Sequence, residues 1–146
     1  MIKASRKVLY QAFTSPEALA IWLAPGEMTG KVKKFDLRVG GGYQMSLFYP
    51  QTDKNSKGKT NKKEDRFFAR FVELTPPKKI VQIINFDSSD PKFKGEMIME
   101  ITFQKKDNGT KVTFVFKNIP PGISPEDNKA GTRSTLKKLA HYIEAK

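Results

Sequence analysis

The chain has 146 residues, no cysteine, one histidine and a formal net charge of +12, from 27 basic and 15 acidic side chains. That length predicts one domain spanning residues 1–146, able to bury roughly 68–70% of its unfolded surface without staples. The missing cysteines exclude disulfides, thiolate zinc sites and thiol nucleophiles. No apolar run reaches signal-peptide or membrane-span length, so a cytoplasmic protein without a membrane span is expected.

Ser5 ahead of Val8, Leu9, Ala12 and Phe13 supplies an N-cap and helical spacing for a first short helix. Ser15-Pro16-Glu17 starts a second: serine caps, proline fits the first turn and glutamate favours its positive end. Leu19, Ile21, Trp22 and Leu23 give that helix its apolar side, and Pro25 stops it. From about Met28 the pattern changes to strands. Phe35-Asp36-Leu37-Arg38-Val39 reads as a strand that Gly40-Gly41-Gly42 turns tightly into the next. These glycines lack the spacing of a dinucleotide or P-loop fingerprint and precede no helix. Asp36 and Arg38 stand two apart, placed to form an ion pair that steadies the turn.

Tyr43, Met45, Leu47 and Tyr49 alternate with Gln44, Ser46 and Phe48, a period-two strand with one mainly buried face. Five lysines (Lys54, Lys57, Lys59, Lys62 and Lys63) then crowd a segment that reads as a loop. Phe67–Leu74 is apolar on both faces and is expected to be covered on both. Ile80–Phe86 is the next strand. Met97, Met99, Ile101 and Phe103 alternate with Glu96, Ile98, Glu100, Thr102 and Gln104, which puts the two glutamates outside. Asp107-Asn108-Gly109 signals a hairpin, after which Val112, Phe114 and Phe116 form an inner face. Ser124-Pro125-Glu126 caps a long helix running to about Glu144. Two short helices, an antiparallel meander and a long last helix make an α+β domain.

Trp22-x-x-Pro25, the 35–43 segment, Glu73-Leu74-Thr75-Pro76-Pro77-Lys78-Lys79-Ile80-Val81 and Gly131-x4-Leu136-x2-Leu139-Ala140 together resemble a known family. It comprises stand-alone bacterial proteins related to the C-terminal domain of the activator of heat-shock protein 90 ATPase. These belong to the START-related (SRPBCC) superfamily, with polyketide cyclases and birch-pollen-allergen-like proteins. The resemblance spans about Ala4 to Glu144 and implies a helix-grip fold, a curved antiparallel sheet wrapped around the last helix. The family ordinarily carries a full first strand, for which only Met1–Ala4 remains here. Either that strand is very short or the natural protein begins upstream; a missing strand leaves an edge that another chain can cover. The family's glycine in the last helix is normally followed by tryptophan. Thr132 takes that place here, implying a larger or more polar cavity.

In such a fold the last helix is where a site is expected. At about 100° per residue, Asn128, Thr132 and Thr135 share a side with Leu136, Leu139 and Ile143. The apolar half of that side packs on the sheet, and the polar half faces the same concave surface as a small-ligand pocket would. Both threonines can instead bond back to the preceding turn and offer only their methyls. The expected sheet-side liners are Tyr43, Met45, Leu47, Phe71, Phe86, Met97, Met99 and Phe114, with Trp22 and Phe35 near one opening. Trp22 is either a lid or a helix anchor. The one histidine, His141, falls about 140° from Leu136 and faces away from the packed side, leaving no Ser-His-Asp arrangement. Asp87-Ser88-Ser89-Asp90 lacks the spacing and glycine of a calcium loop. No catalytic residue, metal site or cofactor is assigned.

Three functions fit. The first is a non-catalytic binding protein for an apolar or lipid-like small molecule. The second, implied by the resemblance, is a protein-interaction module that meets an acidic partner such as a chaperone through Lys31, Lys33, Lys34 and the 54–63 loop. The third, also implied by it, is a polyketide-cyclase-like enzyme shaping a substrate around Tyr43 or Thr132. The positive charge comes without a nucleic-acid recognition motif, so nucleic acid is not the expected partner. A monomer or homodimer is expected.

Overall fold

The computed structural model describes residues 2–23, 28–49, 64–88 and 90–144; Pro25 and the five lysines of the 54–63 segment lie outside them. Ser5 opens α1 (Arg6–Phe13), its hydroxyl accepting from the Val8 N–H at 3.2 Å, and Ser15 opens α2 (Pro16–Trp22) by accepting from Ala18 at 3.3 Å. Each satisfies a backbone donor that a helix start leaves orphaned. Their apolar sides bury Leu9, Ala12 and Phe13 from α1, and Ala18, Leu19 and Trp22 from α2.

Six strands follow: β1 (Thr29–Lys33), β2 (Gly42–Phe48), β3 (Glu64–Thr75), β4 (Lys79–Phe86), β5 (Met97–Lys106) and β6 (Gly109–Lys117). They lie side by side in chain order, every pair antiparallel. Because side chains alternate between faces, the register collects one apolar face. Tyr43, Ala69, Ile84 and Met97 form one row across it, Phe71, Gln82, Met99 and Phe116 a second, and Leu74, Ile80, Ile101 and Phe114 a third. The sheet curls, with α3 (Pro125–Glu144) on its apolar side, where Thr135, Leu139 and Ile143 are buried. The α+β helix-grip architecture read from the chain is the one observed.

Three local expectations are corrected. Residues 34–41 are not strand: Lys34 takes a left-handed φ of 55°, which ends β1, and the backbone then loops outward with Leu37 and Val39 exposed. The glycines serve this longer loop rather than a tight turn. Gly40 has φ +89°, and a side chain on Gly42 would collide with the Ala69 carbonyl of β3. The outer face of β3 is open, with Phe68 and Val72 exposed, because α3 covers the other face; a bulge between Phe71 and Glu73 then keeps Glu73 outward and returns Leu74 to the inner face. Of the first strand, Ile2 forms an isolated bridge to Thr110. A short 3-10 turn, Pro91–Phe93, was not expected, although Asp90-Pro91 has the cap-and-proline pattern of the other helix starts and Asp90 accepts from the Lys92 N–H at 2.9 Å. Among the described residues no helix is long and apolar enough to cross a membrane.

Candidate functional site

Beneath the first half of α3 the sheet and helix do not meet, leaving a cavity of about 300 Å³. Its sheet wall includes Tyr43 and Leu47 from β2, Phe86 from β4, Met97 and Met99 from β5, and Phe114 from β6. Asn128, Thr132 and Thr135 form the helix side, with Gly131 leaving open space beside them. Nine of the thirteen residues expected at a ligand site are therefore brought together on one surface. The arrangement is apolar with a few convergent polar groups, the make-up of a small-molecule pocket.

Four of the thirteen lie elsewhere. Trp22 is fully buried, its indole N–H donating to the Ala12 carbonyl at 3.0 Å and its ring edge-on to Phe13 at 4.5 Å. It is a helix anchor, not a lid. Phe35 stacks on Tyr43 at 5.7 Å and meets Phe71 edge-on, so it sits behind the cavity wall. Phe71 is buried against those same two rings. Met45 is fully buried, with its terminal methyl beneath Gly30 of β1. The common reason is that α2 and the 34–41 loop cover this end of the concave face, filling what α3 leaves open farther on.

The polar groups differ in what they can offer. The Tyr43 phenol is pushed well above its usual range by burial, an effect only partly offset by a hydrogen bond with the Gln82 side chain. It stays protonated through the physiological range and is a hydrogen-bonding group rather than a base. Among the described atoms, Gln82 Oε1 is buried without a hydrogen-bond partner. Thr132 bonds back to the Asn128 carbonyl at 2.8 Å, spending its donor inside the helix. Thr135 does otherwise, donating to the Leu23 carbonyl at 3.4 Å and tying α3 to the end of α2.

Sequence reasoning missed Asp65. This carboxylate is 4% exposed, lines the cavity and accepts from the Tyr49 hydroxyl at 2.9 Å. The available signal was parity: Asp65 stands two before Phe67 and must share its inner face. Asp127, in the first turn of α3, adds a second carboxylate to the lining. Asp36 and Arg38 form the expected pair at 2.7 Å, exposed and apart from the cavity. His141 is exposed, so no imidazole reaches the wall. Among the described residues, no group of three or more His, Cys, Asp or Glu is placed to hold a metal ion. What this geometry can do chemically is exclude water around an apolar body and orient it through a few polar atoms.

The sequence model of the family described as Activator of Hsp90 ATPase homolog 1-like protein matches residues 3–144. The crystal structure of a protein from Chromobacterium violaceum is 32% identical with a TM-score of 0.86, the alignment covering 98% of this chain and 92% of that one. A crystal structure from Rhodobacter sphaeroides, 16% identical, has a TM-score of 0.78 over 99% of this chain and 88% of its own. The solution structure of the AHSA1-like protein from Aeromonas hydrophila, 18% identical, has a TM-score of 0.74 with coverages of 99% and 88%. The latter two are likenesses of fold. No curated protein is significantly similar to the chain in sequence.

Proposed function

The chain belongs to the Activator of Hsp90 ATPase homolog 1-like family, and from that premise we propose that it is a non-catalytic START-like protein enclosing an apolar or lipid-like small molecule between sheet and α3. The observation that supports this most is the cavity of about 300 Å³ among Tyr43, Leu47, Met97, Met99, Phe114 and Thr132, between the apolar face of the sheet and α3. Its methionines adapt to varied shapes, and Asp65, Asn128 and Tyr43 orient a polar end of the guest. Native mass spectrometry of protein purified from its own cells is expected to find a co-purified apolar compound. Repeated recovery of only the bare polypeptide mass overturns the proposal.

A second reading is favoured by the family description and by the exposed Lys31, Lys33 and Lys34 at the β1 edge of the sheet. In it the chain is a co-chaperone-like module meeting an acidic partner, and charge steers the encounter. Salt-sensitive capture of a chaperone with a raised ATPase rate supports it. Unchanged capture after neutralising those three lysines refutes it.

A further inference from the structure

We propose that the molecule carries a second binding site, for a compact small molecule bearing two or more phosphate groups. A depression of about 530 Å³ opens between the start of α1 and the turn joining β5 to β6, with Pro77 of the β3–β4 turn on its wall. Lys3, Arg6, Lys7, Lys105 and Lys106 line it, against one carboxylate, Asp107. β5 reaches the cavity under α3 with Met97 at its start and this depression with Lys106 at its end. The two spaces share no lining residue, so this site does not depend on the cavity holding a ligand.

The fold builds this basic hollow from separate stretches of chain. Lys105 stands two residues beyond Phe103, whose ring meets Tyr10 and Phe13 of α1 edge-on at 5.8 and 5.2 Å. By strand alternation Lys105 leaves the sheet on the face that α1 covers, just past the end of the core. Lys106 closes the hairpin opposite Gly109. The N-terminal segment is tied alongside. Ile2 and Thr110 exchange backbone hydrogen bonds at 2.9 and 2.8 Å, and the buried Thr110 hydroxyl donates to the Ala4 carbonyl at 2.7 Å. That holds Lys3 beside the turn and starts α1 with Arg6 and Lys7 on the same depression. The Ile2–Thr110 bridge is antiparallel, so it directs whatever precedes Ile2 along β6 and away from the hairpin turn.

Fold stability does not account for this arrangement of charge. The positive end of a helix favours carboxylates. α2 and α3 comply, with Glu17 in one first turn and Glu126 and Asp127 in the other. α1 has no acidic residue in its first turn and carries Arg6 and Lys7 there instead. Among the described residues none of the five cations forms an ion pair, whereas Arg38, Arg66, Arg70, Lys79 and Lys117 each have a carboxylate within 3.9 Å. Like charges converging on a concave surface repel one another and focus a positive potential into it. A bound anion relieves both that repulsion and the misfit with the dipole of α1. Shape and charge then select the guest. Five cations less one carboxylate leave +4 on the lining, and a phosphate monoester carries about −1.5 to −2, so two or three phosphate groups match it. The half-buried Arg6 supplies a planar fork for bidentate contact with phosphate, and the lysines add mobile point charges. A nucleic-acid duplex or an anionic membrane spreads its phosphates along a track or a plane, whereas these cations converge on a hollow.

The test titrates the full chain with inorganic triphosphate by calorimetry and follows its amide resonances by NMR. Expected are one-to-one saturable binding that weakens at least about tenfold when salt rises from about 0.05 M to about 0.5 M, and shifts concentrated in residues 3–7 and 105–109. Orthophosphate, with a single group, should bind at least about tenfold more weakly. The double variant Arg6→Gln/Lys105→Gln loses about tenfold or more. Lys92→Gln/Lys94→Gln removes the same charge from exposed positions ahead of β5 and should change affinity by less than about twofold. Adenosine triphosphate binding at least about tenfold more tightly than inorganic triphosphate supports the site and assigns it to nucleotides; equal affinity supports it and assigns it to a bare phosphate chain. Absence of saturable binding, shifts that leave both segments untouched, or equal losses for the two double variants overturn the proposal. So does binding of duplex DNA or of phosphatidylglycerol vesicles with no binding of triphosphate.

Discussion

Trp22→Phe separates an anchor from a lid. The indole N–H meets the Ala12 carbonyl, one of the last carbonyls of α1 that have no partner inside the helix. Its neighbours are served locally: Tyr10 receives the Thr14 hydroxyl at 3.0 Å and Gln11 the Thr14 N–H at 3.1 Å. Removing the indole leaves a buried acceptor unsatisfied, which costs about 1–3 kcal/mol. The smaller ring also leaves a void where Phe13 now packs edge-on, adding about 1 kcal/mol. We therefore expect Trp22→Phe to destabilise the protein by about 2–4 kcal/mol, lowering Tm by roughly 5–15 °C for a chain of this size. Trp22→Ala is expected at the upper end of about 3–5 kcal/mol or beyond. Urea unfolding followed by circular dichroism measures both, since the variants lack the only tryptophan. A Trp22→Phe variant within about 0.5 kcal/mol of the parent, the range of an ordinary surface change, would refute the reasoning.

Leu139→Ala removes a fully buried side chain from the half of α3 that is packed in the core, with an expected loss of about 2–5 kcal/mol in urea unfolding. His141→Ala, on an exposed position of the same helix, should stay within about 0.5 kcal/mol; equal losses for the two would contradict the placement of α3. Tyr43 ionises near pH 10 when unfolded but only above that when folded. The native state then holds the extra proton, so stability falls as pH rises beyond about 10, by at most about 1.4 kcal/mol per pH unit from this one group. Tyr43→Phe should make that alkaline decline shallower by about one proton, read from unfolding free energies between pH 9 and roughly 11.5; an unchanged slope would show that the phenol is not buried.

Much of the fold was legible because its signals are local. Serines before apolar runs marked both short helices, and alternation in β2 and β5, interrupted by Phe48 and Ile98, assigned the inner face. Asn108-Gly109 placed the last hairpin. The 34–41 loop was not legible, because Phe35–Val39 has good strand composition and nothing in it announces that Lys34 turns left-handed. Phe67–Leu74 carried apolar residues on both sides, and composition alone does not distinguish a covered face from an exposed one. Nine of the residues that line the cavity were picked out by parity on the sheet and angle on the helix. Met45 and Phe71 obey the same parity, yet α2 and the loop after β1, which carry Trp22 and Phe35, occupy their end of the face, a tertiary fact with no local signature. Asp65 was missed for a simpler reason: the inner-face pattern was read only from Phe67 onwards.

The most direct test is titration with a neutral apolar fluorophore such as N-phenyl-1-naphthylamine, on the parent and on Thr132→Trp, which places a large ring into the space beside Gly131. Burying roughly 300 Å² of probe at about 25 cal/mol per Å² gives about 7 kcal/mol before the costs of association, so a saturable one-to-one isotherm is expected with Kd between roughly 1 μM and 1 mM. Thr132→Trp should keep the parent's circular dichroism while weakening binding about tenfold or more, and Leu47→Trp should do the same from the sheet side. A parent that shows no saturable binding, or folded variants that bind as well as it does, would contradict a ligand chamber under α3.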